Sequence, residues 1–288
     1  MSTGILFAIV AMLCWGFGDF FIQRSTRKIG DFETLFLITF FGSLVLLPFV
    51  WTDIGALFSE LQSGLAILLA GAVILFVAAL LEFEALKRGK ISVIEPTWSL
   101  EIPMAGILAF VILGETLTGY QTLLIVSLIV GLFLVSFRGR AFSSSFLLEK
   151  GVTLSIVAAL VMGSANFFVG WGARETDPLL VNFAVSFLAM LGAGAFLLIK
   201  GRLITTFHHL RESPRTLVPM ITLDNIAWVA FAYGMTLAPI GITVALSESY
   251  IIIAVVLGFV IGHERLERHQ YLGLALAVVS AVALAAFS

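Results

Sequence analysis

Gly4-Ile-Leu-Phe-Ala-Ile-Val-Ala-Met-Leu13 and Gly151-Val-Thr-Leu-Ser-Ile-Val-Ala-Ala-Leu160 are one apolar pattern met twice, 147 residues apart. The register holds beyond them: Gly16 falls on Gly163, Asp19 on Asn166, Phe20-Phe21 on Phe167-Phe168 and Arg27 on Arg174. A shift of 149 aligns the later part of each copy, Phe110-Val-Ile112 with Phe259-Val-Ile261, Glu115 with Glu264, Leu117 with Leu266 and Gln121 with Gln270. The chain is read as one unit used twice, over residues 1–140 and 141–288.

The solvent for each unit is lipid. Of 288 residues, 60% are hydrophobic and 12% charged, and mean hydropathy is +1.11. Soluble domains carry about twice that charged share. Ten apolar windows of spanning length follow one another at 4–23, 33–51, 64–86, 91–112, 118–137, 151–172, 178–199, 216–237, 240–262 and 269–287. Fifteen of the sixteen Lys and Arg residues sit in the connections after windows 1, 3, 5, 7 and 9. Those connections are expected on the cytoplasmic side, with both termini extracytoplasmic. Five windows per half is an odd number, so the second half starts on the opposite face. The expected fold is an all-α integral membrane protein of ten transmembrane helices, built as two inverted five-helix repeats, a plan that recurs in secondary transporters.

Other classes lack their chemistry. A net charge of −2 gives no field to hold a nucleic acid. The single Cys14 can form no internal disulfide. His208, His209, His263 and His269 fall in polar connections without metal-ligand spacing, and no Gly-rich phosphate loop precedes a Lys. No resident metal or cofactor is expected, and with no histidine in any span neither is an enzyme. The apolar stretch from Gly4 has no basic flank or clear cleavage site and reads as the first span, not a signal peptide.

Each half has a small, aromatic-rich start, Trp15-Gly16 and Met162-Gly163, and a short link after the third and eighth windows. The clearest motif is Gly114-Glu115-Thr-Leu-Thr-Gly-Tyr-Gln121, echoed by Gly262-His-Glu264-Arg-Leu-Glu-Arg-His-Gln270. In these features, over nearly its whole length, the chain resembles the drug/metabolite transporter superfamily, specifically proteins with two EamA-type domains. The resemblance implies that spans 1–4 and 6–9 line a central cavity while spans 5 and 10 pack outside it. It also implies a small-molecule substrate. Members move amino acids, drugs, nucleotide sugars, amines and other metabolites, often as exporters, and a prokaryotic plasma (inner) membrane is the expected location.

Seven acids fall inside the windows, Asp19, Glu82, Glu84, Glu95, Glu101, Asp224 and Glu248, and no Lys or Arg lies well inside one. Such a group at mid-membrane costs about 2.5–3.5 kcal/mol on insertion scales, so it normally faces a cavity or a partner. Something cationic should complete the imbalance: a proton, a metal ion or an organic cation. Glu101 and Glu248 lie near the middle of their windows, and Asp19 and Asp224 in the cytoplasmic halves. Glu82, Glu84 and Glu95 are the lesser candidates for the site: Glu82 and Glu84 are close to Lys87 and Arg88, where interfacial ion pairing is the favoured reading, and Glu95 sits where a helix N-terminus favours an anion.

Tryptophans accompany the acids at helical spacing: Trp15 with Asp19, Trp98 with Glu101, Trp228 with Asp224. Indole faces beside carboxylates suit an ammonium group, although packing or gating explains them equally well. Asn166, Tyr233 and Tyr250 complete the candidate substrate-binding set with Glu248. Glu101 and Glu248 are the candidates for proton coupling, since burial favours a neutral carboxyl and a bound cation the ionised one. Pro96 and Pro103 bracket Trp98–Glu101, whereas the matching positions in window 9 are Ala245 and Ile252, so a kinked element is expected in the first half alone. Glu115 and Glu264 read as residues that cap or orient the last helix of each half. The expected function is a secondary transporter, working as a single chain by alternating access on an amine, organic cation or amino acid. A passive facilitator or channel and an exporter of apolar drugs are the alternatives.

Overall fold

The structure, a computed structural model, describes residues 2–59, 62–88, 97–136, 151–253, 256 and 267–288. In chain order these form α1 (Thr3–Ile29), α2 (Asp31–Ser59), α3 (Gln62–Arg88), α4 (Glu101–Leu113), α5 (Gly119–Ser136), α6 (Val152–Glu175), α7 (Pro178–Ile199), α8 (Leu203–Glu212), α9 (Pro214–Leu237), α10 (Ile240–Ser247) and α11 (Arg268–Phe287). No strand occurs among the described residues. Backbone buried in hydrocarbon must satisfy its own hydrogen bonds, which leaves helices as the solution for such apolar segments. Eight helices are long and apolar enough to cross a membrane, and α4 and the stretch Ile240–Ile253 are apolar but shorter. Windows 4 and 9 of the sequence run into 89–96 and 257–266, outside the described residues. The outer face is apolar, with Val45, Phe49 and Trp51 at 61%, 67% and 70% exposure. In water that surface would aggregate; against lipid tails it is at home.

α8 stands in what the sequence reads as a polar connection. Leu203, Phe207 and Leu210 recur at i, i+4 and i+7 and give it one apolar face. Phe207 packs on Phe36 and Phe40 at centroid distances of 5.7 and 5.3 Å.

The Gly-Glu motif has a local explanation. Gly114 ends α4 in the left-handed region at φ 67°. Its N–H bonds to the Phe110 carbonyl and that of Glu115 to the Ala109 carbonyl, both at 3.1 Å, the wrap that terminates a helix on glycine. Three residues on, Thr118 and Gln121 exchange backbone-to-side-chain bonds of 3.0 and 3.2 Å and start α5. Glu267 and Gln270 do the same for α11. Capping thus belongs to Thr118, Gln121, Glu267 and Gln270. The expected capping role of Glu115 is replaced by a clamp on other helices, and Glu264 lies outside the described residues.

The most extensive helix pairings are α1 with α9, α3 with α6, α2 with α7 and α5 with α11. Each joins the first half to the second. Replacing every helix by its counterpart in the other half returns the same pairings. The glycines follow suit. A Cβ on Gly16 would sit 2.8 Å from Ile253, and one on Gly163 would sit 2.8 Å from Met104, and these two contacts exchange under the repeat shifts. At the α5–α11 crossing, a Cβ on Gly131 would lie 2.6 Å from the Ala277 nitrogen and one on Gly273 2.7 Å from the Val135 nitrogen. Close backbone approach of this kind drives helix association where no hydrophobic effect operates.

The kinked element is not confined to the first half. Thr97 and Trp98 are helical, Ser99 and Leu100 form a turn, and α4 begins at Glu101; likewise α10 ends at Ser247, Glu248 and Ser249 form a turn, and helix resumes at Tyr250. The Leu100 N–H bonds the Thr97 carbonyl at 3.0 Å, and the Ser249 N–H bonds the Leu246 carbonyl at 3.2 Å. These positions correspond under the 149-residue shift. Proline is not what breaks the second one. Ser247 and Ser249 hydroxyls bond back to the Val244 and Ala245 carbonyls, both at 3.0 Å, a substitution that bends helices.

Replacing Gly131 by Leu should cost about 1–3 kcal/mol through overpacking of the α5–α11 crossing. Gly106, where an added methyl group would meet only open space, should accept Ala without loss. Thermal unfolding in detergent compares the two; equal stability of both variants would mean that the crossing is not close-packed.

Candidate functional site

Eight helices, α1–α4, α6, α7, α9 and α10, wall one cavity of about 440 Å³, while α5 and α11 pair outside it. From Trp15 and Tyr250 at its deep end it reaches Thr26, Arg27 and Asp31, where α1 meets α2. That is the end of the bundle bearing the basic connections. Lys28 bonds Ser213 there, and Arg202 pairs with Glu33 at 2.6 Å.

Nine of the ten candidate substrate-binding residues line this cavity: Trp15, Asp19, Trp98, Glu101, Asn166, Asp224, Trp228, Glu248 and Tyr250. Tyr233 does not. It lies at the other end of α9, stacked on Phe7 with centroids 5.4 Å apart. Glu82 does line the cavity, contrary to its reading as an interfacial ion pair, and Glu84, two residues on and so about 200° around the helix, does not. Glu95 is outside the described residues.

Four carboxyl groups converge. Glu82 from α3 and Glu101 at the start of α4 face the same cavity. Glu248 at the α10 break and Asp19 on α1 lie close enough to repel both. Asn166 Nδ2 donates to Glu101 Oε2 at 3.1 Å. Among the described residues no group of three or more His, Cys, Asp or Glu side chains is placed to hold a metal ion.

Trp15 also reaches across helices. The Trp15 indole lies beside the carboxyl of Asp224 on α9, and both line the cavity. Its ring meets those of Trp228, Phe231 and Tyr250 edge-on at 5.2, 5.1 and 6.5 Å. Trp15 is thereby a packed floor to the cavity. Trp98 differs: its Nε1 is buried and has no hydrogen-bond partner among the described residues.

The sequence reading passed over Arg27, Asp31, Thr39, Asn182, Ser186 and Asn225, which also line the cavity. Asn182 and Asn225 turn their amide N–H groups to carbonyls, Asn182 to Pro178 at 2.7 Å and Asn225 to Ile38 and Ile221 at 3.1 and 2.8 Å. Their positions on apolar helices were the available signal, since a neutral amide in a spanning window still needs a partner.

A double-mutant cycle of Trp15→Phe and Asp224→Ala on thermal stability should give a coupling of about 0.5–3 kcal/mol, the range for residues in contact. Additive effects would mean that the indole does not serve the carboxyl.

The comparisons with known proteins agree with this architecture. The model of the EamA-like transporter family matches twice, over residues 2–137 and 149–286. An uncharacterized transporter of Archaeoglobus fulgidus is 24% identical over 187 residues, 65% of this chain and 63% of that protein. An uncharacterized protein of Methanocaldococcus jannaschii is 27% identical over 136 residues, 47% of this chain and 98% of that protein. The chain thus spans somewhat less than two thirds of the length of the first relative and nearly all of the second. A crystal structure of a protein superposes with a TM-score of 0.74 at 18% identity, covering 99% of this chain and 96% of the other, a likeness of fold. With the family model matched over both halves, the chain belongs to the EamA-like transporter family.

Proposed function

We propose that the protein is a secondary transporter for a small cationic or zwitterionic metabolite, an amine, organic cation or amino acid, and that it works by alternating access. One observation carries the reading: among the described residues six acids, Asp19, Asp31, Glu82, Glu101, Asp224 and Glu248, line the cavity with a single base, Arg27. Charge inside a membrane is tolerated when it is paired, and a cation supplies what the wall lacks. The Trp98 indole N–H adds a donor for an acceptor group on the same ligand.

The frame supports the mechanism. We read ten spans, with α4 and the Ile240–Ile253 helix as the inner parts of the fourth and ninth. The exchange of pairings between halves is what two inverted repeats related by a two-fold axis would give, and both broken helices meet at the cavity, the arrangement that serves substrate sites in transporters. The basic end is then cytoplasmic, the membrane the prokaryotic plasma membrane, and one chain holds a complete site. A passive channel would need an open path; beyond the cavity, Ala8, Ala105, Ile240 and Val244 are all at 0% exposure and fill the bundle.

Glu101 is the candidate proton carrier. It faces Glu82 from α3, Glu248 from the α10 break, Asp19 from α1, Asn166 from α6 and the Tyr250 hydroxyl. Proton and substrate cation would compete for these carboxylates, so cation affinity should rise with pH.

Purified protein should be stabilised by amines or zwitterions and not by matched anions, by about 2.7 kcal/mol at a hundred times Kd. The shift should grow with pH in the wild type and lose that growth in Glu101→Gln. Stabilisation by anions or apolar drugs alone would overturn the substrate reading.

A further inference from the structure

Glu115 and Arg174 take no part in the cavity wall. They make a dense polar contact at the end of the bundle away from the basic connections. Arg174, in the last turn of α6, donates from Nε to the Met235 carbonyl at 2.7 Å and from Nη2 to the Ala238 carbonyl at 2.9 Å. Its Nη1 forms an ion pair with Glu115 Oε1. The other carboxylate oxygen accepts the backbone N–H of Ile240 at 2.9 Å. One ion pair therefore ties the end of α4, in the first half, to the ends of α6 and α9 and the start of α10, in the second. All four helices wall the cavity.

The contacts of Glu115 are specific to this closed arrangement. The two α9 carbonyls are among those a helix leaves unpaired at its C-terminus, and a guanidinium satisfies two at once. The Ile240 N–H is one of the orphan donors of α10. Parting the end of α4 from α6 and α10 would strip the ion pair and the Ile240 bond together and leave Arg174 on the α9 carbonyls. The pair is also reversible, because its side chains keep 26% and 15% exposure. Water reaches both charges as they separate, so the cost of breaking it is far below that of a dry pair.

The repeat provides an internal comparison. Arg27 holds the position of Arg174 in the first half. It lies at the other end of the bundle, is exposed, lines the cavity and has no ion pair among the described residues. The same arginine position is engaged where the bundle is filled and disengaged where the cavity reaches the end.

We propose that Glu115 and Arg174 are gating residues for transport: their ion pair latches the end of the cavity opposite the basic connections, and it breaks when the cavity opens there. This rests on the alternating-access reading above. Two reporter cysteines in a Cys14→Ser background separate the two ideas. Val244→Cys lies in the filled region, and Ser186→Cys lines the cavity. Each is labelled with a membrane-impermeant maleimide in vesicles of both orientations, with and without Glu115→Gln, which keeps an acceptor for the Ile240 N–H but removes the charge.

Glu115→Gln should speed labelling at Val244→Cys from the far side on the order of ten-fold, as expected when a favoured state loses one interaction. It should slow labelling at Ser186→Cys from the basic side. Faster labelling at Val244→Cys with no change at Ser186→Cys supports the latch and overturns alternating access. No change at Val244→Cys overturns the latch, even if stability falls, because a purely structural pair would alter stability alone. Arg174→Gln serves as the second variant should Glu115→Gln fail to fold. Both should act alike, and their combination should add nothing.

Discussion

A helix in lipid has to close every backbone hydrogen bond by itself, and an interruption is tolerated only where protein or a wet cavity receives the freed groups. The turns at Ser99-Leu100 and Glu248-Ser249 are such interruptions, and the rest of the molecule is arranged around them. Gly163 and Gly16 let neighbouring helices come within contact of the two broken segments. Glu101 and Glu248 emerge at the breaks themselves, which puts charged groups in the one part of the membrane interior where polar backbone is already present. The carboxyl cluster is thus less a separate feature than a consequence of where the helices stop.

Much of this was legible because lipid makes sequence patterns severe. Apolar length marked the helices, and the depth of each acid marked the cavity, so nine of ten chosen wall residues do meet there. The failures have physical causes. Tyr233 carries no charge to exclude it from a lipid- or aromatic-facing position, and it stacks on Phe7 instead. Glu82 sits near Lys87 and Arg88 in sequence, but helical rotation points it into the cavity. Kinks were sought through proline, which removes a donor, whereas the second break rests on serine hydroxyls that capture carbonyls. Short-range spacing suggested Trp15 with Asp19; Asp224, 209 positions away in sequence, also lies beside it in space. α8 escaped because a ten-residue amphipathic helix falls below any spanning threshold.

The motif before α5 shows how much a short segment can hold. Gly114 stops one helix, Thr118 and Gln121 start the next, and Glu115 between them reaches two further helices. Its glycine and glutamine are accounted for by local backbone chemistry. Its glutamate is not: both the ion pair with Arg174 and the bond from the Ile240 N–H reach into the other half of the chain.

The frame and the cavity do not share a symmetry. Where the first crossing sets Glu101 beside Asn166, the matching positions in the second are Tyr250 and Asp19, so the acid has moved from the broken helix to its neighbour. A ligand held on the axis of a truly two-fold cavity would have two equivalent poses and could turn over freely between them. Here the two poses meet different chemistry, a carboxyl with an amide in one and a phenol with a carboxyl in the other. For the proposed substrate the degeneracy would be lifted: a guest with distinguishable ends would enter with a defined polarity, its head and tail assigned by residues that differ between the two halves.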